Sequence, residues 1–204
     1  MLMMRRGLPF IYQGQEIGTE NRQFESLAQV NDIDSINEYH NALANGLTDQ
    51  EALEVLNRYS RDNARIPLRW NKHKWGGFTT GQPWLQGAVK GNLTDVASQL
   101  EDKQSLWYWY QSLIRLRTDA TYGEVIVSGS FVPLFRDVKN LMAFERSNQT
   151  HCLWVVLNYQ NQEQVLDLGR KWQSVLLNNL EALDSSDNQI LKLAPYQALV
   201  LVMD

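Results

Sequence analysis

The sequence predicts an α/β first half and an all-β second half, and three observations support this fold class. A short apolar run at residues 8–12 is typical of one buried strand, and capped amphipathic helices follow it. Between Thr118 and Gly123 the pattern changes, and strand-like apolar runs then recur at intervals of roughly 8–12 residues, as in β-sandwiches. The second half therefore indicates an antiparallel β-sandwich, whereas the first half contains a single credible core strand.

Composition limits the classes of function. The chain has 204 residues, 44% of them hydrophobic and 21% charged, which is typical of a globular protein. The net charge of −4 argues against a general nucleic-acid binder, which needs clustered cations against phosphate. No apolar run approaches the roughly 18 residues of a membrane helix, and the N-terminus lacks a signal-peptide pattern. We expect a cytoplasmic protein without nucleic-acid or membrane partners.

Three helices are predicted from caps and spacing. Asp34 is expected to cap a helix that ends before Gly46. Thr48 and Glu51 form a capping-box pattern ahead of a second helix. Asp102 is expected to cap the longest apolar-periodic helix, which ends near Arg117.

The second half contains eight candidate strands separated by turn residues. They are residues 124–127, 131–135, 141–145, 152–157, 164–168, 172–177, 190–193 and 198–203.

Catalytic and metal-binding patterns are sparse. The three histidines, His40, His73 and His151, lack the spacing of a zinc site, so neither a metal nor a cofactor is predicted. Cys152 belongs to the apolar candidate strand at residues 152–157, where a buried structural thiol is favoured over a nucleophile.

Four arginines lie close together in the first half: Arg58, Arg61, Arg65 and Arg69. Cations this close repel one another unless some are paired, and Asp62 is one local partner. A guanidinium fork binds carboxylates and fixed hydroxyl patterns, so the cluster indicates either a binding site or a solvated charged helix end.

The stretch from Arg61 to Trp84 is predicted to be a long loop, and it contains four large aromatic residues: Trp70, Trp75, Phe78 and Trp84. Their rings could stack on sugar faces, and they could equally hold the loop against its own scaffold. The sequence leaves both interpretations open.

Four segments resemble glycoside hydrolase family 13, the α-amylase superfamily. Residues 12–18 are similar to the family stretch Y-Q-G-E-E-I-G, and residues 61–70 to R-D-N-A-R-T-P-M-Q-W. Residues 77–84 are similar to A-G-F-T-x-G-x-P-W, and residues 105–117 to the S-L-x-x-Y-Y-x-x-L-I-x-L-R helix. The R-D-N-A-R block is typical of the oligo-1,6-glucosidase, dextran glucosidase and trehalose-6-phosphate hydrolase branch.

The resemblance implies an architecture. Residues 1–120 would be the C-terminal end of a (β/α)8 barrel, with residues 1–7 ending a barrel helix and residues 8–13 forming the eighth strand. Residues 121–204 would be a C-terminal β-sandwich. Barrel active sites lie at the C-terminal ends of the strands, so residues 16–84 are expected to line the pocket mouth.

The resemblance also implies a reaction, which is retaining, exo-acting hydrolysis of α-glucosidic bonds in oligosaccharides. The family's aspartate nucleophile, glutamate acid/base and second aspartate precede the Y-Q-G stretch, so no catalytic residue is expected here. Among substrate-binding candidates, Arg65 resembles the residue that holds the terminal glucose. Arg61 is expected to be more structural, and Glu25 is expected to border the leaving-group subsite.

Departures from the family pattern leave the substrate open. Gln15 replaces a glutamate, Ile66 a threonine, Arg69 a glutamine and Asn71 an aspartate. Residues 85–95 lack the usual V-N-P-N-Y motif.

Three interpretations remain for the chain as a whole. The first is the C-terminal part of an α-glucosidase that is inactive alone. The second is a non-catalytic structural or carbohydrate-binding β-sandwich module, and the third is a truncated gene product without function. An exposed half-barrel surface would favour self-association.

Overall fold

The computed structural model describes residues 1–87, 93–180, 183 and 187–204, and the chain forms two compact units. One unit comprises Met1–Phe10 and Trp109–Asp204, and the other comprises Ile11–Tyr108. The chain therefore begins in the first unit, forms the second and returns to the first.

The described residues form five α-helices and several short 3-10 turns. The α-helices are α1 (Ile33–Ala44), α2 (Asp49–Tyr59), α3 (Val96–Glu101), α4 (Leu106–Arg117) and α5 (Gly123–Val127). The 3-10 turns are Leu2–Met4, Gln15–Ile17, Leu27–Gln29, Arg61–Ala64 and Lys74–Gly77. In the described part of the chain, no helix combines the length and apolarity that a bilayer crossing requires.

The helix caps confirm one prediction and correct two. The Thr48 capping box of α2 is present, with the hydroxyl and the Glu51 carboxylate each binding the other residue's backbone N–H. The cap of α1 is Asp32 rather than Asp34, because the helix already begins at Ile33. Asp102 does not cap α4 either: its side chain accepts from a backbone N–H two residues later, and the helix begins only at Leu106.

The Met1–Phe10 and Trp109–Asp204 unit contains two antiparallel sheets among its described residues. The strands are β1 (Ser130–Leu134), β2 (Leu141–Ser147), β3 (Cys152–Asn158), β4 (Gln164–Asp167), β5 (Trp172–Asn178), β6 (Ile190–Leu193) and β7 (Ala198–Met203). The larger sheet has the order β1-β2-β3-β7-β5, and β4 pairs with β6 in the smaller one. The seven predicted strands from residue 131 onward are confirmed.

The central strands β3 and β7 bury both faces. Trp154 and Val156 face a core shared with Leu191 and Leu193 of the smaller sheet. The alternate residues of β3, including Val155, face a second core that contains residues of α4 and α5. Since successive strand side chains point to opposite faces, two buried faces require the continuous apolar run seen in the sequence.

The predicted strand at residues 124–127 is wrong, because this segment forms α5. Val125 and Ile126 are neighbours, and both are fully buried in the same core. A strand would send them to opposite faces, whereas one helical turn buries both in a single cluster. A short apolar run does not distinguish a buried helix from a strand by periodicity.

The predicted strand at residues 8–13 is also wrong for the described chain. None of these residues belongs to a strand, and Leu8 and Phe10 are each 80% exposed. A strand exists through its ladder of hydrogen bonds to a neighbour, and no described segment supplies that neighbour. Within residues 1–7, where the end of a barrel helix is expected, the structure has a 3-10 turn at Leu2–Met4.

The Ile11–Tyr108 unit has a small core between α1 and α2. It contains Phe24, Val30, Tyr39, Ala52 and Leu56. This core fixes the start of α1 relative to the end of α2, where the arginine-rich segment begins. The atypical segment at residues 85–95 lies partly outside the described residues.

Candidate functional site

The arginine-rich segment is folded by local hydrogen bonds after α2 ends. The Ser60 hydroxyl accepts from the backbone N–H of Asp62 and thereby starts the 3-10 turn Arg61–Ala64. This turn brings the side chains of Asp62 and Arg65 together, as expected for residues three apart in a helical turn.

Asp62 is the buried anchor of the site. Its side chain is fully buried, and Oδ2 accepts from the backbone N–H groups of Asn31 at 2.6 Å and Asp32 at 3.1 Å. Its other oxygen, Oδ1, accepts from Arg65 Nη2 at 2.7 Å. A buried carboxylate is tolerated when its lone pairs are satisfied in this way.

Asp32 joins both candidate arginines. Its Oδ1 accepts from Arg61 Nη2 at 2.8 Å, from Arg61 Nε at 3.1 Å and from Arg65 Nη2 at 3.2 Å. Its Oδ2 accepts from the backbone N–H and the hydroxyl of Ser35. The hydrogen bonds from Arg61 and then from Ser35 outweigh burial and lower the pKa of Asp32 from 3.8 to about 2.

Arg65 is held on one side and open on the other. Its side chain is 37% exposed, and its guanidinium carbon lies 5.5 Å from the ring centre of Trp84, a cation–π distance. Within the described chain only Nη2 donates hydrogen bonds, so Nε and Nη1 keep three N–H donors for another group. The geometry therefore presents a fixed, charged donor set.

Arg61 is the more exposed of the two arginines, with 65% of its side chain accessible. Besides Asp32 it pairs with Asp34 at 3.0 Å, and hydrogen bonding to Asp32 raises its pKa. Nε and Nη2 are thus already used by carboxylates.

Glu25 lies on an exposed turn before Leu27–Gln29, and its backbone N–H donates to Gln29 Oε1 at 3.0 Å. Its charge acts on the buried Arg22, whose pKa is nevertheless lowered because burial dominates. The structure thus joins Arg61 and Arg65 through Asp32, whereas Glu25 is related to Arg22 only through the effect of its charge.

The Y-Q-G segment contacts the R-D-N-A-R segment directly. The hydroxyl of Tyr12 donates to the backbone carbonyl of Ala64 at 2.5 Å. A cavity of about 520 Å³ lies between these segments, and Tyr12, Gly14 and Arg61 are among its lining residues. Gly14 has a φ of +86°, a backbone conformation that favours glycine.

Sequence reasoning identified Asp62 as an arginine partner but missed Asp32. The available signal was the cap pattern of α1, in which Asp32 precedes Ser35 by three residues.

The described residues contain no group of His, Cys, Asp and Glu arranged to hold a metal ion. Cys152 has its pKa raised to about 11 by burial and by the hydrogen bond with Glu145, as expected for an unreactive thiol.

Comparison with known proteins identifies the class of this chain. A family model described as "Alpha amylase, catalytic domain" matches residues 1–126. The chain belongs to the α-amylase family.

Two similar proteins carry more specific names. A glucan 1,6-alpha-glucosidase of Streptococcus pneumoniae is 36% identical over 198 residues, which cover 97% of this chain and 36% of that protein. A trehalose-6-phosphate hydrolase of Bacillus subtilis is 34% identical over 97% of this chain and 35% of its own length. The chain therefore spans about a third of the length of these relatives.

Solved structures agree with this assignment. The trehalose-6-phosphate hydrolase of Bacillus licheniformis superposes with a TM-score of 0.89 and 29% identity, covering 98% of this chain and 37% of that one. The trehalulose synthase of Pseudomonas mesoacidophila gives a TM-score of 0.90 with 28% identity, covering all of this chain and 37% of that one.

Proposed function

We propose that this chain is the C-terminal portion of a retaining, exo-acting α-glucosidase for α-1,6 or related bonds of oligosaccharides. In this proposal residues 1–120 end a (β/α)8 barrel, and residues 121–204 form its β-sandwich. The family match over residues 1–126 and the two antiparallel sheets with a shared core support this division. We also propose a cytoplasmic location.

The observation that carries the proposal is the geometry of Arg65. Asp62 and Asp32 hold Nη2, while three N–H donors of the same guanidinium remain for a ligand. A planar fork with fixed orientation suits the adjacent hydroxyls of a terminal sugar ring. Such a group at the closed end of a pocket would stop a longer chain from passing, which makes the enzyme exo-acting.

Arg61 has a supporting role in this proposal. Because its Nε and Nη2 are used by Asp32 and Asp34, it positions Asp32 for Arg65. Glu25 is proposed to border the leaving-group subsite from the exposed turn before Leu27–Gln29.

The chain by itself is expected to leave a nitrophenyl α-glucoside unhydrolysed. The resemblance places the two catalytic aspartates and the catalytic glutamate before residue 12, so the bond-breaking groups would come from other residues. Turnover above that of a boiled sample would contradict this expectation.

A chimeric enzyme tests the function directly. The chain would replace the corresponding 36% of the Bacillus cereus oligo-1,6-glucosidase, to which it is 30% identical. A folded chimera that hydrolyses isomaltose supports the proposal. A chimera that folds with a cooperative thermal transition but has no activity contradicts it.

A further inference from the structure

A second cavity in the Ile11–Tyr108 unit is lined by cationic side chains. It has a volume of about 260 Å³ and lies around the turn Lys74–Gly77. Arg69, Lys72, His73 and Lys74 line it together with Trp75. No aspartate or glutamate is among its described lining residues.

These positive charges have no carboxylate partners in the described chain. The ion pairs of the described residues involve Arg61 and Arg65 but none of Arg69, Lys72 and Lys74. The Nε–H of Arg69 is buried and has no hydrogen-bond acceptor there. A buried donor without an acceptor is costly, and neighbouring like charges raise that cost. An anion in the cavity would reduce the repulsion among these cations.

The backbone around the cavity holds Arg69 in place. Trp75 has a φ of +57°, which is uncommon for a residue with a side chain, and Gly76 follows with a φ of +67°. The carbonyl of Gly76 accepts from the backbone N–H groups of Trp70 at 2.7 Å and Asn71 at 3.1 Å. A Cβ on Gly76 would lie 3.0 Å from Cγ of Arg69, so the turn packs closely on the arginine stem.

One of the charges of this cavity, that of Arg69, is a departure from the family pattern, and a second departure lies next to the cavity in sequence. Arg69 stands where the resemblance has glutamine, and Asn71 stands where it has aspartate. Each difference makes the segment more positive by one charge.

We propose that this cavity binds the phosphate group of a small phosphorylated ligand. A phosphate presents up to two negative charges and several acceptor oxygens, which match one guanidinium fork and two ammonium groups better than a single carboxylate does. The inference rests on the cavity's own residues and is independent of the glucosidase proposal.

Isothermal titration calorimetry of the full chain tests this site with three probes at constant ionic strength: inorganic phosphate, glucose 6-phosphate and glucose. We expect saturable binding of both phosphate-containing probes at millimolar concentration or below, and tighter than any binding of glucose, which lacks the phosphate group. Tighter binding of glucose 6-phosphate would assign the ligand to sugar phosphates, and equal binding would assign it to free phosphate. Absence of phosphate binding, or equal binding of glucose and glucose 6-phosphate, would overturn the proposal.

Variants locate the binding site. Arg69→Gln and the double variant Lys72→Gln/Lys74→Gln are each expected to weaken phosphate binding at least tenfold. Arg136→Gln removes the same charge at an exposed position outside the cavity and is expected to change nothing. The two lysines are exposed, so the double variant keeps the test valid if Arg69→Gln fails to fold. Unchanged phosphate affinity in a folded double variant would contradict the proposal.

Discussion

Arg65 and Asp62 form an ion pair of 2.7 Å in which the Asp62 side chain is fully buried and the Arg65 side chain is 37% exposed. The asymmetry has a consequence for function. The buried partner fixes the position of the charge, and the exposed partner keeps donors for a ligand.

Asp62→Asn is expected to destabilise the chain. The amide keeps the shape of the side chain but loses the charged hydrogen bond to Arg65 and one of its acceptor oxygens, at a cost of about 1–3 kcal/mol. Urea unfolding followed by circular dichroism would measure the loss. Glu38→Gln, an exposed carboxylate-to-amide change on α1, serves as the control and is expected to be neutral. Equal stability of the two variants would show that the anchor contributes little.

The lowered pKa of Asp32 predicts a loss of stability in acid. The group has a pKa of about 2 when folded and an ordinary value of 3.8. Because the folded state favours the charged form, its contribution is fully present above about pH 4 and disappears as the pH falls towards 2.

Urea unfolding at several pH values between 2 and 5 would test this. Other carboxylates also titrate in this range, so the relevant quantity is the difference between the wild type and Asp32→Asn. The Asp32→Asn variant should show a smaller fall in unfolding free energy. Parallel pH curves for the two proteins would exclude Asp32 as a source of the acid sensitivity.

Arg65→Ala in the chimeric enzyme is expected to reduce kcat/KM. Losing a charged hydrogen-bond partner of the substrate costs about 1.5–3 kcal/mol, or about 10- to 150-fold in rate. Arg136→Ala, on the turn between β1 and β2, is the control, and its kcat/KM should equal that of the unmodified chimera. An unchanged kcat/KM for Arg65→Ala would remove Arg65 from the binding site.

The exposed apolar side chains of Leu8 and Phe10 predict self-association of the isolated chain. Exposed apolar groups of this size favour burial against a second surface. Sedimentation velocity over a range of concentrations should show association, and Leu8→Ser/Phe10→Ser should weaken it. Val165→Ser, an exposed change on β4, is the matched control. A monomer at all concentrations would contradict this prediction.

The sequence predicted elements well where local signals and burial agree. The Thr48 capping box involves residues three apart, and the strands β3 and β7 carry apolar runs that two buried faces require. The sequence-based prediction failed where the secondary structure of a segment depends on its contacts with distant parts of the chain. Residues 8–13 have strand character, yet the described chain offers them no pairing partner, and residues 124–127 become helical because one core buries Val125 and Ile126 together.

For the candidate site, the sequence by itself determined which charges exist and that Arg61, Asp62 and Arg65 lie close together. The tertiary structure decided that Asp32, some thirty residues earlier, joins both arginines, and that Trp84 lies beside Arg65. Ion pairs depend on distance in space, and only the packing of α1 against α2 brings the cap of one helix to the end of the other. Local spacing therefore identified the candidates, and long-range packing selected their partners.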